Sequence, residues 1–205
     1  HILPNVLINN ASVFGPIDLF LETDFKEWEK TFGTNFFGTA YLTKQIIMIM
    51  KKNHKQRSKI INIVGGGASK PYSFLSSYAT SKAALIRFSE QLSEELKKMK
   101  IDINCLAPGP LNTRFTDIVL KEGKKKLGNK FYNQILNIKK SNNNYLEFNA
   151  NMCEFLISNK SNNLTGKYFS ARFDDINKIY KNKKSISLSD LYTMRRLDNY
   201  SIKNK

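Results

Sequence analysis

Residues 59–82 read KIINIVGGGASKPYSFLSSYATSK, and this stretch joins three features that decide the architecture. Ile60-Ile61-Asn62-Ile63-Val64 is almost wholly apolar, as a strand buried on both faces of a parallel sheet must be. Gly65-Gly66-Gly67 follows at its carboxyl end, where side-chain-free backbone lets main-chain amides approach a ligand closely. A long helix over 76–100 comes next, with Ser76 or Ser77 as N-cap. Its apolar positions Ala84, Leu85, Phe88, Leu92 and Leu96 recur at helical spacing, and Glu90, Glu94, Glu95, Lys97 and Lys98 fill the return face. Tyr78 and Lys82 sit one helical turn apart on it, so their side chains are neighbours. An ammonium there favours tyrosinate and draws the phenol below its usual value of about 10, which makes it a general acid or base. The same spacing recurs at Tyr180 and Lys184, so the pattern takes its meaning from its surroundings.

Working outward, strands are expected over 6–8, 59–64, 101–106 and 168–171. One or two helices are expected over 24–52, a further helix over 151–158, and a helix followed by a loop over the Lys- and Asn-rich 121–144. Alternating strands and helices predict an α/β fold, a doubly wound parallel sheet covered on both faces. Such sheets bind ligands outside the carboxyl ends of their strands. Three loops qualify: Asn9-Asn10-Ala11-Ser12, Gly65-Gly66-Gly67 and Ala107-Pro108-Gly109-Pro110. The organisation expected is a partial dinucleotide-binding domain over 1–173, followed by a basic extension over 174–205.

Composition bounds the function. The chain has 205 residues, enough for one domain with a real core, and is 41% hydrophobic. Its apolar runs all fall short of the roughly 20 residues that span a bilayer. Cys105 and Cys153 have neither metal spacing nor the density of a disulfide scaffold, so no metal site and a reducing, cytoplasmic setting are expected. The net charge of +16 raises nucleic acid as a partner. Lys is spread over the whole chain together with Asn and Ile, however, and clusters such as Lys51, Lys52, His54, Lys55 and Arg57, or Lys124-Lys125-Lys126, suit solvated loops and helix ends. Neither a specific nucleic acid nor a membrane is expected as a partner. The chain opens His1-Ile2-Leu3-Pro4 and enters a strand almost at once, as expected of a start internal to a longer protein.

From residue 6 to about residue 171 the chain resembles a short-chain dehydrogenase/reductase lacking its amino-terminal third, a Rossmann-like sheet without its first strands and phosphate loop. Asn9-Asn10-Ala11-Ser12 is similar to the family's Asn-Asn-Ala-Gly turn, with Ser12 in place of Gly. Trp28, Asn35 and Gly38 match the helix carrying its catalytic Asn, Tyr78 and Lys82 its catalytic pair, the stretch from Asn104 to Thr113 its sixth strand and Pro-Gly turn, and Leu164-Thr165-Gly166-Lys167 its last strand. The resemblance implies an oxidoreductase that uses NAD or NADP to interconvert a secondary alcohol and a ketone. In it Tyr78 is the acid/base, Lys82 holds the nicotinamide ribose and lowers the Tyr78 pKa, and the Asn35 main chain holds a water in a relay to Lys82. Pro108, Gly109 and Thr113 line the nicotinamide; Asn10 and Ala11 lie along the adenosine half. Read without the resemblance, Asn35 is equally a helix-kink residue, Thr113 an N-cap and Pro108-Gly109 a plain turn.

Two departures qualify this reading. Thirteen residues before its Tyr the family carries a Ser that hydrogen-bonds the reacting oxygen; here Gly65 stands there. Loss of one such donor costs about 10² to 10³ in rate. Either Ser69 or another loop hydroxyl takes over, or main-chain amides of Gly65 and Gly66 do, or the protein is an impaired relative kept as a binding or dimerising module. Second, the phosphate loop is missing from the sequence, so weak dinucleotide binding by this chain is expected. The Gly-rich loop and the tail also resemble a subgroup associated with surface-polysaccharide gene clusters, which implies a sugar or nucleotide-sugar substrate. The family resemblance further implies a homodimer or homotetramer through the helices near 28–50 and 76–100.

Overall fold

Two strands buried on both faces set the architecture, since such a strand must be covered on both sides. The computed structural model describes residues 3–52, 56–109, 111–141 and 145–196. In it β1 (Val6–Asn9), β2 (Ser58–Ile63), β3 (Ile101–Ala107) and β4 (Tyr168–Ser170) form one parallel sheet in chain order. Leu7 pairs with Ile60, Ile60 with Ile103, and Leu106 with Phe169. Alternation then sorts the side chains. Ile60, Ile101 and Ile103 pack with Met50 and Leu96 on one face, while Ile61 and Leu106 meet Met152, Phe155 and Leu156 on the other.

The first face is covered by a long helical arm and by α3 (Ser76–Leu96). The arm comprises α1 (Phe25–Phe32), a π-helical turn (Gly33–Gly38) and α2 (Thr39–Met50). The second face carries α6 (Tyr145–Ile157). The doubly wound α/β arrangement expected from the sequence is therefore present. The helix expected from 76 ends in a 3₁₀ turn at Lys97–Met99, and neither serine is its N-cap. Leu75 occupies that position without a side-chain bond, because the Ser76 hydroxyl accepts the Trp28 indole N–H at 3.1 Å and Ser77 is buried beneath Gly15.

Between β3 and α6 the expected helix and loop are two helices, α4 (Arg114–Lys121) and α5 (Gly123–Lys140), the latter interrupted at Gly128 (φ 73°). Together they form a lobe on Ile17, Leu75 and their neighbours. The basic extension after Asp174 is, in its described part, folded onto the core. α7 (Ile176–Lys181) and α8 (Lys183–Ser187) bury Ile179 and Ile186 against Phe169 and Leu156. The chain beyond them is clasped by Lys167, whose buried ammonium donates to the Ser189 and Leu191 carbonyls at 2.7 and 3.1 Å. His1, His54, Lys55, Pro110, Asn142-Asn143-Asn144 and the chain beyond Arg196 lie outside the described residues.

At the amino ends of the strands, Asp102 is buried and accepts from Lys59 Nζ and Arg57, each at 2.9 Å; Lys59 also donates to Ser161 Oγ at 2.9 Å. Removing one partner of such a group strands a buried charge, which costs about 3–5 kcal/mol, whereas an apolar replacement of the pair is often neutral. Asp102→Ala is expected to lose about that much in urea unfolding. Lys59→Met combined with Asp102→Leu is expected to recover most of it.

Candidate functional site

The carboxyl ends of β1, β2 and β3 bring the three loops singled out from the sequence to one edge of the sheet. A polar ladder ties them from beneath. Asn9 Nδ2 donates to Thr43 Oγ1 at 3.0 Å and to Asn62 Oδ1 at 2.7 Å, and Asn62 Nδ2 donates to Ser89 Oγ at 2.8 Å. These amides lie among apolar neighbours, so each bond is expensive to leave unmade. The ladder fixes β1 and β2 against α2 and α3, and hence the loops that leave them.

Tyr78 and Lys82 lie in the first turns of α3, under the Gly65 loop. Lys82 is only 2% exposed. Its ammonium donates to the Ile63 carbonyl at 3.0 Å and stands 5.8 Å from the Tyr78 ring centre. Burial pushes this ammonium down to about 8 and pushes the Tyr78 phenol up to about 12. The expected depression of the phenol by Lys82 is thus not seen, because loss of water disfavours the charged form of both groups. At neutral pH the site holds a protonated phenol beside a lysine within reach of losing its proton. The second Tyr-x-x-x-Lys has no such setting: Tyr180 lies on α7, Lys184 on α8, and Tyr180 is half exposed.

Asn35 is fully buried in the π-helical turn. π turns are frequent at functional sites, where widening the helix re-aims a residue. Here the widened turn aims the carboxamide at the first loop. Asn35 Oδ1 accepts from Val13 N at 2.9 Å and Ser12 Oγ at 3.1 Å, and Nδ2 donates to Val13 O at 2.9 Å and Ser81 Oγ at 3.1 Å. One side chain therefore stitches the loop after β1 to the helix that carries Tyr78 and Lys82. The Asn35 carbonyl accepts from Thr39 Oγ1 at 2.9 Å.

The remaining expected residues are distributed around this centre. Asn10 and Ala11 are exposed at the rim. Pro108 accepts from Asn149 at 3.0 Å, and Gly109 takes φ +76°, with Arg172 pressed against the position a Cβ would occupy. Thr113 is the N-cap of α4, its hydroxyl accepting from Phe115 N at 3.3 Å. Gly65 lies directly over the phenol: a Cβ there would stand 2.8 Å from Tyr78 Oη. Gly66 belongs to the 3₁₀ turn that follows. Ser69, one candidate to replace the missing hydroxyl, is engaged with Tyr168 Oη at 3.4 Å.

Sequence reading missed two residues that enclose the phenol. Phe14 stacks on the Tyr78 ring at 4.8 Å, and Phe115 meets it edge-on at 6.1 Å. The available signal was position: Phe14 lies in the loop after β1, and Phe115 two residues after Thr113. Among the described residues no cluster of His, Cys, Asp and Glu could hold a metal ion, and no helix is long and apolar enough to cross a membrane.

Known proteins with this arrangement can now be compared. The model of the family described as short chain dehydrogenase matches residues 5–123. A bovine protein named dehydrogenase/reductase SDR family member 4 is 29% identical over 163 residues, covering 80% of this chain and 56% of its own length. The chain thus spans little more than half of that relative. Among solved structures, one described as a short chain dehydrogenase of Shigella flexneri complexed with NADP superimposes with a TM-score of 0.66 at 18% identity, over 82% of this chain and 63% of that one. NAD⁺-bound xylitol dehydrogenase gives the same TM-score at 18% identity, over 81% and 66%.

The burial of Lys82 has a consequence for stability. Its folded pKa of about 8 lies below the ordinary 10.5, so between these values the unfolded chain binds more protons and stability rises with pH. Below about pH 8 both states are protonated and the folded state bears the full penalty. Lys82→Met is expected to raise the midpoint of unfolding at pH 7, by on the order of 2–3 kcal/mol. It is also expected to abolish the rise between pH 8 and 10.5. Thermal melts of both proteins across that range are the check.

Proposed function

The chain belongs to the short chain dehydrogenase family, and from that premise we propose that the full-length protein is an NAD(P)-dependent oxidoreductase interconverting a secondary alcohol and a ketone, with Tyr78 as proton partner. The observation that carries this reading is the protonated, half-enclosed phenol of Tyr78 with the Lys82 ammonium behind it, at the carboxyl edge of a parallel sheet. The residues present fit the nicotinamide half of such a cofactor. Lys82 offers a cation and three donors, only one of which is bonded to Ile63. Pro108 and Gly109 form the neighbouring wall, Thr113 lies beyond them, and Asn10 and Ala11 edge the adenosine side. When bound, the nicotinamide supplies or accepts the hydride.

This chain's own residues then handle the proton and the geometry. In ketone reduction Tyr78 Oη donates its proton to the developing alkoxide; in alcohol oxidation it takes one back. A phenol near 12 carries its proton at neutral pH, ready for donation. Asn35 holds the loop at Val13, and with it Phe14, against the phenol, and its main chain is proposed to hold a relay water. Gly65 provides no hydroxyl; its main-chain amide and that of Gly66 are proposed to take that role instead.

That same Gly65 favours a second reading: a relative with weakened catalysis, kept for binding or self-association. The enzyme reading is tested by turnover of the full-length protein with NADH or NADPH against ketones, including keto sugars. Tyr78→Phe is expected to lower turnover by at least about 10²-fold. Equal inactivity of both proteins, with cofactor still bound, supports the second reading and ends the first.

We also propose a homodimer or homotetramer built on the helical arm. Phe37 and Tyr41, one turn apart, are 62% and 68% exposed, and Met48 continues the same stripe. A charge in its centre, Tyr41→Glu, is expected to yield monomer in light scattering at a concentration where the unsubstituted protein is oligomeric.

A further inference from the structure

We infer that the substrate is an apolar ketone or secondary alcohol whose hydrocarbon body lies along the rings of Phe14 and Phe115, not a sugar; this rests on the oxidoreductase reading above. Tyr78 Oη makes no hydrogen bond among the described residues, and desolvation is the one influence that moves its pKa. What surrounds it is aromatic. Phe14 and Phe115 stand 5.1 Å apart, and each also meets the Tyr78 ring, so three rings converge on the reacting position. The surface continues outward in the same character. Phe14, Tyr72, Ile118 and Phe131 pack against one buried cluster of Ile17, Leu75, Val119 and Leu127, with Tyr72 and Phe131 at 6.0 Å.

These rings are only partly buried, so they keep apolar surface for a ligand to cover. Two of the lobe's lysines are drawn into ion pairs. Lys126 is paired with Asp18 and Glu122, and Lys139 with Asp117. A hydrocarbon body laid here removes apolar area from water on both sides and gains ring contacts. A sugar in the same place would surrender the water on its hydroxyls to ring faces and aliphatic edges, which return no hydrogen bond. The carbonyl end of the substrate is proposed to meet Tyr78 and the Gly65 loop. The three-ring enclosure thus reads the rest of the molecule for apolarity.

Binding tests this without turnover. The chain is titrated with 2-decalone, a bicyclic apolar ketone, and separately with D-fructose, while aromatic ring resonances are followed by NMR. Saturable shifts are expected with 2-decalone at Phe14, Phe115 and Tyr78, and none with fructose at equal concentration. Phe115→Ser is expected to weaken 2-decalone by about tenfold, the order expected for uncovering most of one ring, and Phe115→Leu by much less. Shifts with fructose at these rings, or 2-decalone shifts confined to other parts of the protein, overturn the inference. A protein that binds 2-decalone at these rings yet never reduces any ketone overturns the proton-transfer reading and leaves this one standing.

Discussion

The Lys82 ammonium is held out of water against the Ile63 carbonyl, and no carboxylate among the described residues contributes to its electrostatics. A lone buried cation is among the costlier things a fold can carry, and much of the architecture is what keeps it there. β2 must stop at Ile63 for that carbonyl to be available. α3 must press its first turns beneath the Gly-rich loop, and the polar ladder of Asn9, Asn62 and Ser89 holds strand and helix at fixed spacing. The same exclusion of water that lowers the lysine raises Tyr78. Phenol and ammonium, nearly matched in water, are thereby driven apart, so that at neutral pH the phenol holds its proton firmly while the lysine lies within reach of losing its own.

Around this pair the molecule divides its work between two ends of the sheet. The amino ends carry a charge cluster, Arg57, Lys59 and Asp102, closed by Ser161 and set at the opposite end of β2 and β3 from the loops of the site. The carboxyl ends carry loops whose side chains are either small or committed to one another through Asn35. A single carboxamide spends its hydrogen bonds on Val13, Ser12 and Ser81. Loop position and helix position are therefore coupled, and the stacking of Phe14 on Tyr78 follows from that coupling. In this fold Asn35 acts through its side chain as a positioning group, whatever its main chain holds.

The sheet and its helices were legible because β2 carries isoleucine on both faces and β3 lines one face with Ile101, Ile103 and Cys105, and because α3 repeats Leu85, Leu92 and Leu96 at helical spacing. The tail was not legible, since its anchoring rests on Ile179, Ile186 and Tyr192 scattered among lysines and asparagines. Tyr78, Lys82 and Asn35 could be picked out by spacing and by the family resemblance, but their electrostatics could not. An i, i+4 interval reports proximity and is silent about burial, and burial reverses the expected direction for Tyr78. The aromatic enclosure was invisible for a related reason: Phe14 and Phe115 are about a hundred residues apart, and only the fold of the lobe onto the loop brings them together.

The central claim is that a charged Lys82 and a protonated Tyr78 form one working unit. The pH dependence of kcat/KM for ketone reduction by the full-length protein tests it most directly, since that profile reports the ionisations of the free enzyme. A plateau below about pH 8 and a fall above it as Lys82 loses its proton are expected, with the fall absent and the rate low throughout in Lys82→Met. A profile flat from pH 7 to 10, with the same rate in Lys82→Met, would contradict it.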